Sequence, residues 1–170
     1  MKNLISYSAI SIFFISIQGF NFCFGQVENL FVMIEKESKE PQSLYSLEDL
    51  TLGVVPTNYV ISNELHDKGE SKPIRLYIDM NSLNFDWNKI KNSGSIEVIV
   101  IQINQSSELS IKIDIGQFKK FESLKYIYIS SSIELCSLPD DINCEKSEVE
   151  KLISGKLENV KVVYTAESNQ

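Results

Sequence analysis

The chain has 170 residues, with 16 Lys and Arg against 23 Asp and Glu, a formal net charge of -7 and 43% hydrophobic residues. That acidic balance argues against nucleic acid or an anionic membrane as a partner, and the length suits one domain with a core of its own. A single histidine, His66, and the lack of a Gly-rich phosphate loop, HExxH, GxSxG or CxxC pair point away from conventional catalysis and away from any cofactor.

Residues 1–25 read as a signal peptide. Lys2 gives a positive start, and the apolar run from Ile10 to Phe20 is too short and too early to span a membrane. Cys23-Phe24-Gly25 places small residues at the two positions a signal peptidase inspects, which predicts cleavage before Gln26. A lipid anchor would need a small residue directly before Cys23, where Phe22 stands. The mature chain would then carry a formal charge of -8, since Lys2 leaves with the leader, and no later segment is apolar enough to span a bilayer. The expected location is secreted or in the cell envelope.

Residues 26–72 read as an N-terminal helical, capping segment. Val27, Leu30, Phe31 and Ile34 fall at helical spacing and predict a helix over 27–40, stopped by Pro41. A second short helix is expected over 43–52, ended near Gly53, then a brief strand at Tyr59-Val60-Ile61 and a polar loop over 62–72.

From residue 73 onwards one nine-residue phrase recurs: apolar, any, any, apolar, any, apolar, any, any, Asn or Ser. It starts at Ile96, Leu124 and Val160, ending at Asn104, Ser132 and Ser168, with a weaker copy from Pro73 to Asn81. Period-two alternation predicts parallel strands with Leu76 and Ile78, Ile99 and Ile101, Ile127 and Ile129, and Val163 and Thr165 stacked into a core. The opposite face would carry Arg75, Tyr77 and Asp79, then Val98, Val100 and Gln102, then Tyr126, Tyr128 and Ser130, then Val162, Tyr164 and Ala166. Between strands, Ile115, Phe118, Phe121 and Leu124 recur every third residue, which suits a helical or 3₁₀ return against the back of the strands. Ser147 with Glu150 reads as a capping box and Gly155 as a helix stop.

These copies, with Leu135-x-x-Leu138-Pro139-x-x-Ile142, resemble the leucine-rich repeat family over residues 73–168. The phrase endings at 81, 104, 132 and 168 are 23, 28 and 36 residues apart and two of them are Ser, so the array is short and degenerate. The implied fold is α/β: a short leucine-rich-repeat-like solenoid of about four parallel strands over residues 73–170, preceded by the N-terminal cap. The resemblance implies protein or peptide recognition on the strand face.

The expected binding residues are Arg75, Tyr77, Val100, Gln102, Tyr126, Tyr128 and Tyr164, with Tyr77, Val100, Tyr128 and Tyr164 forming an aromatic stripe across adjacent strands. Parallel sheets are normally buried on both faces, so the alternative is that the N-terminal helix covers this stripe with Leu30, Phe31 and Ile34. Cys136 and Cys144 remain as an even pair after export and are expected to form a disulfide. Asp140, Asp141, Asn143 and Glu145 crowd oxygen ligands together, but without the glycine turn and distal Glu of an EF-hand loop they read as a polar turn, and no metal is expected. Asn104-Gln105-Ser106 is a glycosylation sequon whose Asn the repeat pattern turns inward.

The expected function is therefore a non-enzymatic, exported interaction module for a protein or peptide. Two alternatives stand beside it: self-association through an uncapped edge strand at 160–165, and a hydrolase built on carboxylates.

Overall fold

The computed structural model describes residues 27–37, 44–67, 72–137 and 141–166. The expected signal peptide, the expected Pro41 stop, the Leu138-Pro139 pair, Asp140 and the phrase ending at Ser168 lie outside the described residues. In chain order the elements are β1 (Val27–Asn29), α1 (Leu30–Glu37), α2 (Leu47–Thr51), β2 (Thr57–Ile61), β3 (Glu64–His66), β4 (Arg75–Asp79), β5 (Val98–Ile103), β6 (Ile113–Asp114), β7 (Tyr126–Ser131), α3 (Ile142–Leu152), β8 (Ile153–Ser154) and β9 (Lys161–Ala166).

Seven strands form an open, mostly parallel sheet in the order β1-β9-β7-β5-β4-β2-β3, in which only β3 runs antiparallel to its neighbour. The four strands foreseen from the repeated phrase, β4, β5, β7 and β9, lie side by side in chain order. Their alternating Ile, Leu and Val residues suit a pleated surface, and Leu76, Ile99, Ile127 and Val162 are Cα partners across the sheet. With Ile78, Ile101 and Ile129 they form the main core, closed by the returning segments. The 3₁₀ turn Ile115–Phe118 supplies two fully buried side chains, and Phe121 and Leu124 follow, as the three-residue spacing predicted. Trp87 joins successive returns by meeting Phe85, Phe118 and Phe121 edge to face at 5.3 to 6.4 Å between ring centroids. A second, two-stranded parallel pairing of β6 with β8 ties the last two returns together.

The other face of the sheet is covered. Residues 27–29, expected as the start of a helix, are a strand that pairs in parallel with β9, so the described chain begins at one edge of the sheet and must reach β2 near the other. That crossover travels in the opposite direction to the steps β4 to β5 to β7 to β9. If all crossovers share one hand, connections moving in opposite directions lie on opposite faces. Accordingly α1 and α2 pack on the face away from the 3₁₀ returns, where Leu30, Met33, Leu47 and Leu50 bury against Val98, Val100, Tyr128 and Val163. At about 1.5 to 3 kcal/mol for each buried apolar side chain, lifting both helices would cost roughly as much as a whole domain's stability, so this layer is core and not a lid.

Several local expectations are corrected. The strand β9 is interior, between β7 and β1, so 160–165 is not an exposed edge. Its register is one residue from that expected: Val162 and Tyr164 face the main core, while Val163 pairs with Tyr128 and faces α1 and α2. A one-residue slip moves every side chain of a strand to the other face, and the run Val160 to Thr165 is apolar enough to accept either alignment. The 62–72 loop contains β3, joined to β2 by a two-residue turn in which Ser62 and Asn63 both take positive φ. Helix α3 starts at Asp141, whose side chain accepts from the Cys144 N–H, and it runs through Ser147 and ends at Leu152, before Gly155. Gly155 instead sits at φ +76° against Asp114, where a Cβ would meet the carboxylate at 2.4 Å.

The phrase endings Asn81, Asn104 and Ser132 are exposed, not inward. The backbone at the end of β5 is satisfied by buried Glu108, whose carboxylate accepts from the N–H groups of Asn104 and Gln105 at 2.7 and 3.2 Å. The Asn104 side chain accepts from the Ser132 hydroxyl.

Candidate functional site

On the helix-covered face the parallel register sorts side chains into three rows running across the strands. The row nearest the strand starts is Thr57, Arg75, Val98, Tyr126 and Lys161. It fastens the covering helices. The Arg75 guanidinium donates to the Leu50 and Thr51 carbonyls at the end of α2 and to the Thr57 hydroxyl, which places a cation where the helix leaves carbonyls unpaired. Burial depresses the Arg75 pKa. Tyr126 donates to the Glu37 carboxylate at the end of α1 at 2.6 to 2.7 Å, and Lys161 pairs with the same carboxylate at 2.9 Å. Burial first, and the Glu37 carboxylate second, push the Tyr126 phenol well above its ordinary range. Arg75 and Tyr126, expected at a binding surface, are thus engaged in holding α1 and α2 in place.

The middle row is Tyr59, Tyr77, Val100, Tyr128 and Val163. Val100, Tyr128 and Val163 are buried beneath the helices, so the aromatic stripe is not an open surface at its centre. The Tyr128 hydroxyl reaches outward to Thr165 Oγ1 at 2.7 Å. Tyr77 is half-buried with its ring 5.7 Å from that of Tyr59, and its phenol is raised by burial, then by Asp79 and Tyr59. Tyr164 does not belong to this row. It lies on the opposite face, fully buried, donating to the Ile142 carbonyl at 3.1 Å, and burial with the nearby Glu145 raises it to about 12.

The third row, at the carboxyl ends of the strands, is Asp79, Gln102, Ser130 and Thr165 in consecutive Cα register on β4, β5, β7 and β9. All four are half-exposed. With neighbouring strands about 4.8 Å apart, the row presents a carboxylate, an amide and two hydroxyls over roughly 14 Å. This is the end of a parallel sheet at which α/β folds commonly hold ligands. Asp79 Oδ2 accepts from the Ser62 N–H at 3.1 Å, whereas Oδ1 is shielded from solvent and has no hydrogen-bond partner among the described residues. A carboxylate oxygen in that condition is costly and wants a donor.

Of the expected binding residues only Gln102 belongs to this row; Tyr77 stands one row inward, packed against the helix-covered cluster. Asp79 and Ser130 were placed on the correct face by the alternation but not singled out, and Thr165 was missed through the slip in β9. The signal for Asp79 and Ser130 was the polar seventh position of their phrases, whereas Thr165 stands sixth in its phrase, with apolar Ala166 seventh.

The remaining motifs have local explanations. Cys136 and Cys144 form a disulfide that ties the start of α3 to the segment after β7, a feature that fits an oxidising compartment. Asp141, part of the acidic turn, is used as the α3 cap. Among the described residues no cluster of three or more His, Cys, Asp or Glu is placed to hold a metal ion, and no helix is long and apolar enough to cross a membrane. No family model, curated protein or solved structure matches the chain.

Proposed function

We propose that the chain is an exported, non-enzymatic interaction module that engages a protein or peptide at the uncovered carboxyl end of its strand face. The observation that carries this reading is the in-register polar row Asp79, Gln102, Ser130 and Thr165, left half-exposed beside a face otherwise sealed by α1 and α2. A leucine-rich-repeat-like origin for β4, β5, β7 and β9 belongs to the same proposal. It is supported by their side-by-side order, their common register and the 3₁₀ returns gathered on one face. The disulfide supports export.

The experiment is site-specific cross-linking in the native extracellular or envelope fraction, with a photoreactive side chain at Ser130 or, as a control, at exposed Lys119 on the connection side. The expected result is a discrete adduct from position 130 and none from position 119. Equal labelling from both positions would overturn the assignment of the row as the contact surface.

A further inference from the structure

We infer that the row takes a basic peptide, with an Arg or Lys side chain of the partner seated against Asp79. The inference rests on the proposed binding role of the row and adds the chemistry of its ligand. Asp79 is the only ionisable member of the row, and its Oδ1 lacks a donor among the described residues while Oδ2 is anchored by the Ser62 N–H. An ionised oxygen without a donor is best satisfied by a charge-assisted hydrogen bond, which is shorter and stronger than a neutral one. Oδ1 is shielded from solvent as the side chain stands, so the inference includes a χ rotation of the partly buried Asp79 that brings a carboxylate oxygen to the border. The neighbours suit a peptide main chain: Gln102 offers a donor and an acceptor, Ser130 a hydroxyl that can do either, and Thr165 the remaining capacity of a hydroxyl already bonded to Tyr128. The chain's net charge of -7 adds long-range attraction for a cationic partner.

Tyr59 and Tyr77 lie one row inward from Asp79, with ring centroids 5.7 Å apart. A guanidinium reaching Asp79 passes close to these rings, where its flat face gains cation–π contact. This favours Arg over Lys at the seat.

The test is selection of a random linear peptide display library on the disulfide-bonded, exported chain, compared with Asp79→Asn and Gln102→Lys. The Asn side chain keeps an oxygen for the Ser62 N–H, and Gln102→Lys sets a fixed cation beside an intact carboxylate. Enriched peptides are expected to share an Arg or Lys, to bind both variants at least tenfold more weakly, and to lose affinity as salt is raised. Enrichment of peptides without a basic residue, or equal binding to Asp79→Asn, would overturn the basic-peptide assignment and leave the binding role of the row standing. Failure of the unmodified chain to enrich any peptide would overturn both.

Discussion

Tyr128 separates a covered strand face from an open one at the level of a single side chain. Its ring is packed with Leu30, Leu50 and Val100 in the second cluster, and its hydroxyl bonds Thr165. Tyr128→Ala is expected to cost about 3 to 5 kcal/mol in denaturant unfolding, the usual range for emptying a buried aromatic site. Tyr128→Phe keeps the ring and removes one hydrogen bond, so about 1 kcal/mol is expected. Near-neutral behaviour of Tyr128→Ala would mean the ring is on the surface. The phenols of Tyr126 and Tyr164 carry a pH dependence as well. Both are raised in the folded chain above an unfolded value of about 10, so folding favours their neutral forms. Below about pH 10 both states keep these protons and the contribution is constant. Above it the unfolded chain loses them first, and stability falls as pH rises. Melting temperature followed from pH 8 to 11.5 should be flat and then decline, and the decline should be shallower in the Tyr126→Phe, Tyr164→Phe double variant. An equal decline in that variant would contradict the assignment of the effect to these two phenols.

At the scale of elements, what could be read from the sequence depended on how many alignments the pattern allowed. The strands β4, β5 and β7 were legible because each sets Ile or Leu inward at successive alternate positions, against polar or aromatic residues outward in β4 and β7 and Val and Gln outward in β5. In β9 two adjacent valines, Val162 and Val163, fit either face, and only pairing with β7 decides between them. Helix α3 was placed too late because Ser147 and Glu150 satisfy the capping-box spacing from inside a helix, while the working cap, Asp141, had been assigned to a turn. The three residues of β1 carry no strand signal against a helical spacing that continues into α1. Consequently the polar row was visible only as one side of an alternation, and the helices that isolate it could not be positioned. The Cys136–Cys144 pairing was legible from number and compartment alone, and it closes a short loop, eight residues apart in sequence. Replacing both cysteines by Ser is expected to lower stability by about 2 to 3 kcal/mol on the loop-entropy account. Guanidinium titration monitored by circular dichroism checks this. A loss well beyond that range would mean that the bridge does more than restrict the unfolded chain.

The whole molecule is a three-layer arrangement, and its logic lies in one reversal of direction. Because β1 sits beside β9, the chain crosses the sheet once in each direction, and the return journey places α1 and α2 over the face that an uncovered array would use for binding. Both sheet edges are three-residue strands, β1 and β3, short enough to offer little template for pairing with another chain. At the carboxyl-end border Asp79, Gln102, Ser130 and Thr165 are only partly buried, and the proposed contact surface lies there. This division into a sealed centre and an open border is the central claim, and thiol labelling tests it most directly. Single cysteines introduced at Val100 and at Ser130, in the disulfide-bonded chain carrying Cys23→Ser, would be exposed to a water-soluble maleimide under native conditions. The account predicts rapid modification at position 130 and modification at position 100 slowed at least a hundredfold, limited by unfolding. Comparable rates at the two positions would contradict it.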